Sequence, residues 1–273
     1  MAENKIPLPP NSRSPARRKF LRSLALASGV AGAALLGFVP VLRRLVQRLR
    51  PPGAIDEHEF LAACIKCGQC VQVCPVEAIR VADLGDGFGV GAPYIEPREQ
   101  ACDFSCDGLQ CVLACPTGAL THHIDYPHQA DMAVATLSNP DSCLALRGQG
   151  FTGVARGDNF RGKLRYEEID RWNPIPLREH PYDLEVCDLC VRQCPIQIRI
   201  AQCEAGSPPS GDPNQCPPEA AIRLVEVEGA DGGRAWKPEI LSGCVGCGVC
   251  EMVCPAEPGC ITMTPLESRR GHA

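Results

Sequence analysis

Cys64, Cys67, Cys70 and Cys74 stand in a CxxCxxCxxxC run closed by Pro75, and Cys244, Cys247, Cys250 and Cys254 repeat it unchanged before Pro255. Thiolates at i, i+3 and i+6 wrap one tight turn around a face of a [4Fe–4S] cube, where backbone N–H groups can point at the sulfurs. The fourth iron then needs a thiolate from elsewhere. Cys102, Cys106, Cys111 and Cys115, before Pro116, form a stretched copy with longer first and second gaps. A further group, Cys187, Cys190 and Cys194 before Pro195, lacks a first cysteine at the usual distance. Cys143 supplies it if residues 144–186 are an insertion, which costs little closure entropy.

These groups account for 16 of the 19 cysteines and imply four [4Fe–4S] clusters. In two-cluster ferredoxins the cysteine before Pro ligates the other cluster. Carried over, that rule gives Cys64, Cys67 and Cys70 with Cys115, and Cys102, Cys106 and Cys111 with Cys74. It also gives Cys143, Cys187 and Cys190 with Cys254, and Cys244, Cys247 and Cys250 with Cys194. Cys216, also followed by Pro, competes with Cys194 for the fourth-ligand role. Cys203 and Cys216, 13 apart, suit a disulfide in an oxidising compartment, and Cys260 suits simple packing as a small hydrophobe.

Other chemistries fit less well. Zinc sites need neither the third cysteine of each run nor the Cys-Pro. No CxxCH is present, and the six His show no ligand spacing; His122, His123 and His128 read as a solvated or partner-facing loop. Gly148, Gly150 and Gly153 match a dinucleotide fingerprint literally, but no strand precedes them and no acid follows in a βαβ context. With no nucleophile elbow, P-loop or HExxH, the chain reads as an electron carrier and not as an enzyme with its own substrate.

The elements that must position these cysteines are short. Gly and Pro make up 52 of 273 residues, against 13 aromatics, so long helices and wide sheets are not expected and the aromatic payload that usually builds a core is missing. After each Cys-Pro comes a small apolar signature, as in Val76-Glu77-Ala78-Ile79 or Thr117-Gly118-Ala119-Leu120, which marks an internal repeat. Each unit reads as strand, ligand loop, short helix carrying the fourth cysteine, and second strand, such as Ile79–Val81 or Ile261–Met263. Gly246 and Gly248 are expected to let the backbone approach a cluster closely. The expected class is α+β: two tandem ferredoxin-like 2[4Fe–4S] modules, residues 51–135 and 136–268, the second with insertions 144–186 and 196–216. The first insertion reads as a glycine-rich loop closing at Trp172-Asn173-Pro174-Ile175-Pro176.

Charge separates the N-terminus from the rest. Residues 1–50 hold ten Lys/Arg and one acid, leaving 17 basic against 31 acidic residues beyond. An acidic body argues against nucleic-acid binding. It is expected to depress cluster potentials and to present an acidic face to a basic partner. Arg17, Arg18, Phe20 and Leu21, ahead of the uncharged run Ser23–Leu42, resemble a twin-arginine signal. That route carries folded cargo, as a cluster protein bound for the periplasm requires. The segment is either cleaved, with Ala31-Gly32-Ala33 as a site, or kept as an N-terminal anchor long enough to reach across a bilayer.

The leader, Arg50-Pro51-Pro52-Gly53-Ala54-Ile55 ahead of Cys64, the stretched second motif, and Cys143-Leu144 before Cys187-Asp188-Leu189-Cys190 together resemble the NapG/MauM family of ferredoxin-type proteins. The resemblance implies a periplasmic four-cluster electron carrier at the inner membrane surface. It would take electrons from the quinol pool through a membrane NapH/MauN-type iron–sulfur partner and pass them toward a periplasmic reductase, nitrate reductase in the NapG branch. The alternatives are electron transfer or cluster-dependent maturation in methylamine utilisation or another periplasmic oxidoreductase, and an iron–sulfur subunit of a molybdenum enzyme.

Overall fold

The computed structural model describes residues 15–43, 47–86, 89–106, 108–166, 169–229 and 232–266. These divide into two compact units. One holds α1 (Pro15–Arg43), whose Ala, Leu and Arg are strong helix formers. Arg17, Arg18, Phe20 and Leu21 lie on its first turns, exposed. Among the described residues no helix is long and apolar enough to cross a membrane. In α1 the length is there, but Gly, Ala and Ser dilute the hydropathy of the run that was expected to reach across.

The second unit, residues 47–83 and 89–266, carries every cysteine. Helix α2 (Glu57–Ala63) is started by Asp56, whose carboxylate accepts the His58 N–H, and it buries Phe60 completely. The Arg50 guanidinium lies over the Phe60 ring, donates twice to the Glu57 carboxylate at 2.6 and 2.8 Å, and donates to the Pro93 carbonyl. The segment at residues 50–55 is therefore a brace for the first ligand loop.

Four one-turn helices follow: α3 (Gln69–Gln72), α4 (Gln110–Leu113), α5 (Leu189–Arg192) and, after the ten-residue α6 (Pro195–Glu204), α7 (Val249–Val253). Each carries the third cysteine of its group. The expectation that the helix would carry the fourth is corrected: Cys74, Cys115, Cys194 and Cys254 lie just beyond the helix ends. The following proline disfavours helical backbone at the residue before it, and Cys194 and Cys254 are accordingly extended, with ψ of 119°.

Five two-stranded antiparallel sheets are present among the described residues. β1 (Ile79–Val81) pairs with β2 (Pro93–Ile95), and β8 (Ile222–Glu228) with β9 (Arg234–Ile240). β3 (Ala133–Leu137) spans the expected boundary at 135/136 and pairs with the distant β10 (Ile261–Pro265); a single bridge, Ala54 to Leu120, holds the same position in the first half. The 144–186 insertion, expected as a loop, forms β4 (Phe151–Gly153) with β7 (Tyr182–Leu184), and β5 (Lys163–Tyr166) with β6 (Asp170–Pro176). Its prolines fit because each sheet has only two strands, so no strand is central and every N–H facing outward is dispensable. Gly148 and Gly150 lead into β4, which Gly153 ends, and no helix follows, so the dinucleotide fingerprint is a coincidence.

The hydrophobic core runs through both halves, from Leu49, Phe60 and Ile95 through Phe104 and Leu109 to Leu189, Ile196, Met252 and Ile261. The Gln100 side chain joins the edge of β5, accepting the Lys163 N–H at 2.8 Å and donating to its carbonyl at 2.9 Å. The insertion is thereby docked on residues 98–105. A smaller cluster groups Cys143, Ala145, Cys254 and Cys260.

Candidate metal centre

Local backbone geometry aims the ligand loops. Gly68 and Gly248, immediately before α3 and α7, take left-handed φ of 75° and 87°, and Leu109 before α4 takes 47°. A left-handed residue there reverses the chain so that the cysteines before and after it face one side. Gly246 and Gly248 do admit a close approach, but of protein: the Ala133 backbone and the Pro97 ring occupy the space a Cβ would need. The close neighbours are thus the fold's own packing, which differs from the expectation of direct approach to a cluster.

The structure brings the cysteines into four sets. Cys64, Cys67, Cys70 and Cys115 line one cavity with Ile65, Val81 and Leu120. Cys74 has left its own run to join Cys102, Cys106 and Cys111, close enough for these groups to act on one another electrostatically. Cys194 lines a cavity with Cys244, Cys247 and Cys250. Cys143, 44 residues from Cys187 in sequence, lines another with Cys187, Cys190 and Cys254, a cavity that Cys250 and Cys260 also line. The β4·β7 pairing closes that excursion, and the Cys187 N–H donates to the Gln149 carbonyl at 3.1 Å.

Cys216 is not in any set. It is bonded to Cys203, with Cα atoms 5.9 Å apart, at the end of α6 and its following turns. Cys194 therefore keeps the position for which the two competed. Cys260 is buried in the small cluster with Cys143, Ala145 and Cys254, as a packing role expects, and its Sγ also lies 3.5 Å from that of Cys254.

Burial dominates the acid–base behaviour of most of these thiols, whereas hydrogen bonding with Cys260 moves Cys143 and Cys254 down. Burial pushes Cys70, Cys187 and Cys194 each up to about 11, and raises Cys111, Cys190, Cys247 and Cys250 as well. Neighbouring thiols add to the rise in Cys70, Cys111, Cys190, Cys247 and Cys250. Left alone, such groups stay protonated; a cationic metal core reverses this, because a coordinating thiol is deprotonated outright. Cys115 moves down, since N–H donors at Leu120, Thr117 and Gly118 outweigh its burial. Backbone N–H groups of Ala78, Leu120 and Cys260 donate to the sulfurs of Cys74, Cys115 and Cys254 at 3.3 to 3.4 Å. A donor set of four soft thiols with N–H groups turned onto sulfur fits an iron–sulfur cluster.

The sets adjoin in a definite order. Helix α3 packs on α4 and α5 on α7, so the third cysteines Cys70 and Cys111, and Cys190 and Cys250, are neighbours. Between the halves, the Ala101 N–H donates to Met252 Sδ at 3.2 Å, placing the loop of Cys102 against the helix of Cys250. The half-buried Asp103 carboxyl sits at this joint. Burial raises its proton affinity, while bonds from the Ser105 hydroxyl and the Arg165 and Ser105 N–H groups work the other way. Sequence reasoning missed Asp103 because nothing in its immediate neighbours marks it.

Residues 63–119 match the family model of the 4Fe-4S dicluster domain. The chain is 33% identical over 260 residues to the methylamine utilization ferredoxin-type protein MauM of Methylorubrum extorquens, covering 93% of this chain and 91% of that one. It is 32% identical over 263 residues to the ferredoxin-type protein NapG of Escherichia coli, covering 94% and 88%. MauM of Paracoccus denitrificans matches at 33%, over 93% and 90%. No solved structure matches. With about a third of its residues identical to these relatives over nearly its whole length, the chain belongs to the NapG/MauM family of ferredoxin-type iron–sulfur proteins.

Proposed function

We propose that this protein is a non-catalytic electron carrier holding four [4Fe–4S] clusters in two tandem ferredoxin-like modules, exported to the periplasm by the twin-arginine route and working at the inner membrane surface. The observation that carries the reading is the exchange of last cysteines: Cys74 joins the second set and Cys115 the first, Cys194 the last and Cys254 the third. Three cysteines from one loop and one from a partner loop is the arrangement by which two-cluster ferredoxins hold their cubes.

Bound there, each cluster supplies a reversible one-electron step. The chain's part is to hold, space and tune. Cys64, Cys67, Cys70 and Cys115 would hold the cluster nearest solvent, since Cys67 is exposed and Ile65 beside it is 64% exposed. From there the order of sets is that of Cys102, then of Cys244, then of Cys143, which follows the packing and not the sequence. Burial in the core excludes water from the inner sets, and N–H donors on the last cysteines offset the negative charge added on reduction.

The donor in this reading is the quinol pool through a membrane NapH/MauN-type partner, and the acceptor a periplasmic reductase, nitrate reductase first. Methylamine utilisation is the second reading, because relatives of the MauM name match as well as those of the NapG name. The test is iron and sulfide content, with about 16 irons expected for four cubes, followed by anaerobic absorption and EPR of membranes holding the protein. Bleaching by quinol and recovery on nitrate supports the nitrate branch. Bleaching without recovery moves the acceptor elsewhere, and intact clusters indifferent to quinol overturn the carrier reading in favour of a maturation role.

A further inference from the structure

Cys260 is a thiol that none of the four sets requires. In three repeats a residue shortly after the last cysteine turns its backbone N–H onto that cysteine's sulfur: Ala78 onto Cys74, Leu120 onto Cys115, and Cys260 onto Cys254. In the first two the side chain at that position is aliphatic and offers nothing further. In the third it is a thiol, 5% exposed, with Sγ 3.5 Å from Cys254 Sγ and the Ser142 hydroxyl oxygen 3.8 Å from it on another side. The residue thus gives its N–H to the Cys254 sulfur and sets its own Sγ against two ligand sulfurs, those of Cys254 and Cys143.

A ligating cysteine is a thiolate and can only accept. Of the three sulfurs, therefore, Cys260 keeps the proton. Resting on the four-cluster reading above, we propose that Cys260 is a positioning residue that donates its S–H to the ligand sulfurs it faces, Cys254 Sγ and Cys143 Sγ, and raises the reduction potential of the cluster held by Cys143, Cys187, Cys190 and Cys254. Reduction places one electron from the donor on that cluster and its sulfurs; no bond is broken and no proton moves. A donor already aimed at the sulfur stabilises the more negative, reduced form more than the oxidised one, and hydrogen bonds to sulfur are among the recognised determinants of cluster potential. Arg98, which donates to the Cys254 carbonyl at 2.9 Å, holds the same loop from the other side and keeps the sulfur in place for Cys260.

The experiment is an EPR-monitored potentiometric titration of the full-length, cluster-loaded protein, with iron content measured alongside, for the wild type, Cys260→Ala and Cys260→Ser. Cys260→Ala is expected to lower one midpoint and leave the other three where they were. Cys260→Ser, which keeps a donor in nearly the same volume, is expected to restore part of the shift and stands as the test if the alanine variant does not fold. An exchangeable proton coupled to that cluster's EPR signal, detected by transfer to deuterated water, is expected in the wild type and absent in Cys260→Ala. Full iron content with all four midpoints unmoved overturns the proposal. So does loss of one cluster's iron in Cys260→Ala, which makes Cys260 a ligand and not a donor. Wild-type iron short of four clusters would instead overturn the reading on which the proposal rests, so the two failures are distinguishable.

Discussion

Arg98, in the first half of the chain, donates through Nη1 to the carbonyl oxygen of Cys254, 156 residues later, at 2.9 Å. The same guanidinium reaches the carbonyls of Glu251 and Ala256, both at 2.6 Å, and the Glu257 carboxylate at 2.9 Å. It closes the end of α7 by supplying charged donors to carbonyls that the helix leaves unpaired. Arg98→Ala is expected to cost about 3 kcal/mol, given roughly 1.5–3 kcal/mol for a hydrogen bond to a charged group and partial replacement by water. Thermal unfolding of the loaded protein checks the magnitude. The EPR signal of the Cys254 set should be lost first on warming; uniform loss of all signals would contradict the local role.

Cys74 sits beside Cys102, Cys106 and Cys111, not beside the run that contains it. Cys74→Ala and Cys102→Ala should therefore each remove one cluster, about four irons, and the double variant no more than either alone. Cys74→Ala combined with Cys64→Ala should remove about eight. Iron analysis that reversed these two outcomes would show that each run keeps its own last cysteine.

The disulfide from Cys203 to Cys216 closes a 13-residue excursion away from every cysteine set. By the loop-closure argument its removal in Cys203→Ser/Cys216→Ser costs about 3 kcal/mol. Iron content and EPR spectra should stay as in the wild type while the unfolding midpoint falls. A lost cluster in this variant would mean that one of the two thiols ligates.

His128 stacks with Tyr126 at 5.7 Å, and burial, then the Arg199 guanidinium, lower its proton affinity. A base whose proton affinity falls on folding leaves the unfolded chain binding more protons. Its contribution is therefore present above the ordinary imidazole value of about 6.5 and is lost as pH falls below it. Melting temperatures of wild type and His128→Gln should converge between about pH 7.5 and 5.5. Parallel curves would remove His128 from the account.

Arg17 and Arg18 open α1 in the unit that carries no cysteine. If they are the export signal, replacing both with Lys should leave loaded protein in the cytoplasm, scored by fractionation with cluster absorbance as the tag. Unchanged periplasmic delivery would refute the twin-arginine reading.

The cluster runs could be read directly because their chemistry is local. Cys64, Cys67 and Cys70, or Cys244, Cys247 and Cys250, lie within one turn of chain, where spacing alone decides which side chains share a face. The proline after each last cysteine also takes this residue out of the helix through sterics, a local signal that the expectation of a helix-borne fourth cysteine passed over. The basic leader and acidic body needed only counting.

What spacing could not decide is whatever the core brings from afar. Cys143 stands with Cys187 because β4 pairs with β7 across the insertion, and Gln100 docks that insertion on the first half. Cys260 meets Cys143, far earlier in the chain, because β10 pairs with β3. Asp103 stands between two sets because Ala101 meets Met252. Such neighbours are selected by burying the apolar faces of Phe104, Leu189, Ile196 and Met252 together, a term proportional to area and indifferent to sequence separation. The local runs thus name the cofactor class, while the order of the sets and the groups that tune each of them exist only once that core has closed.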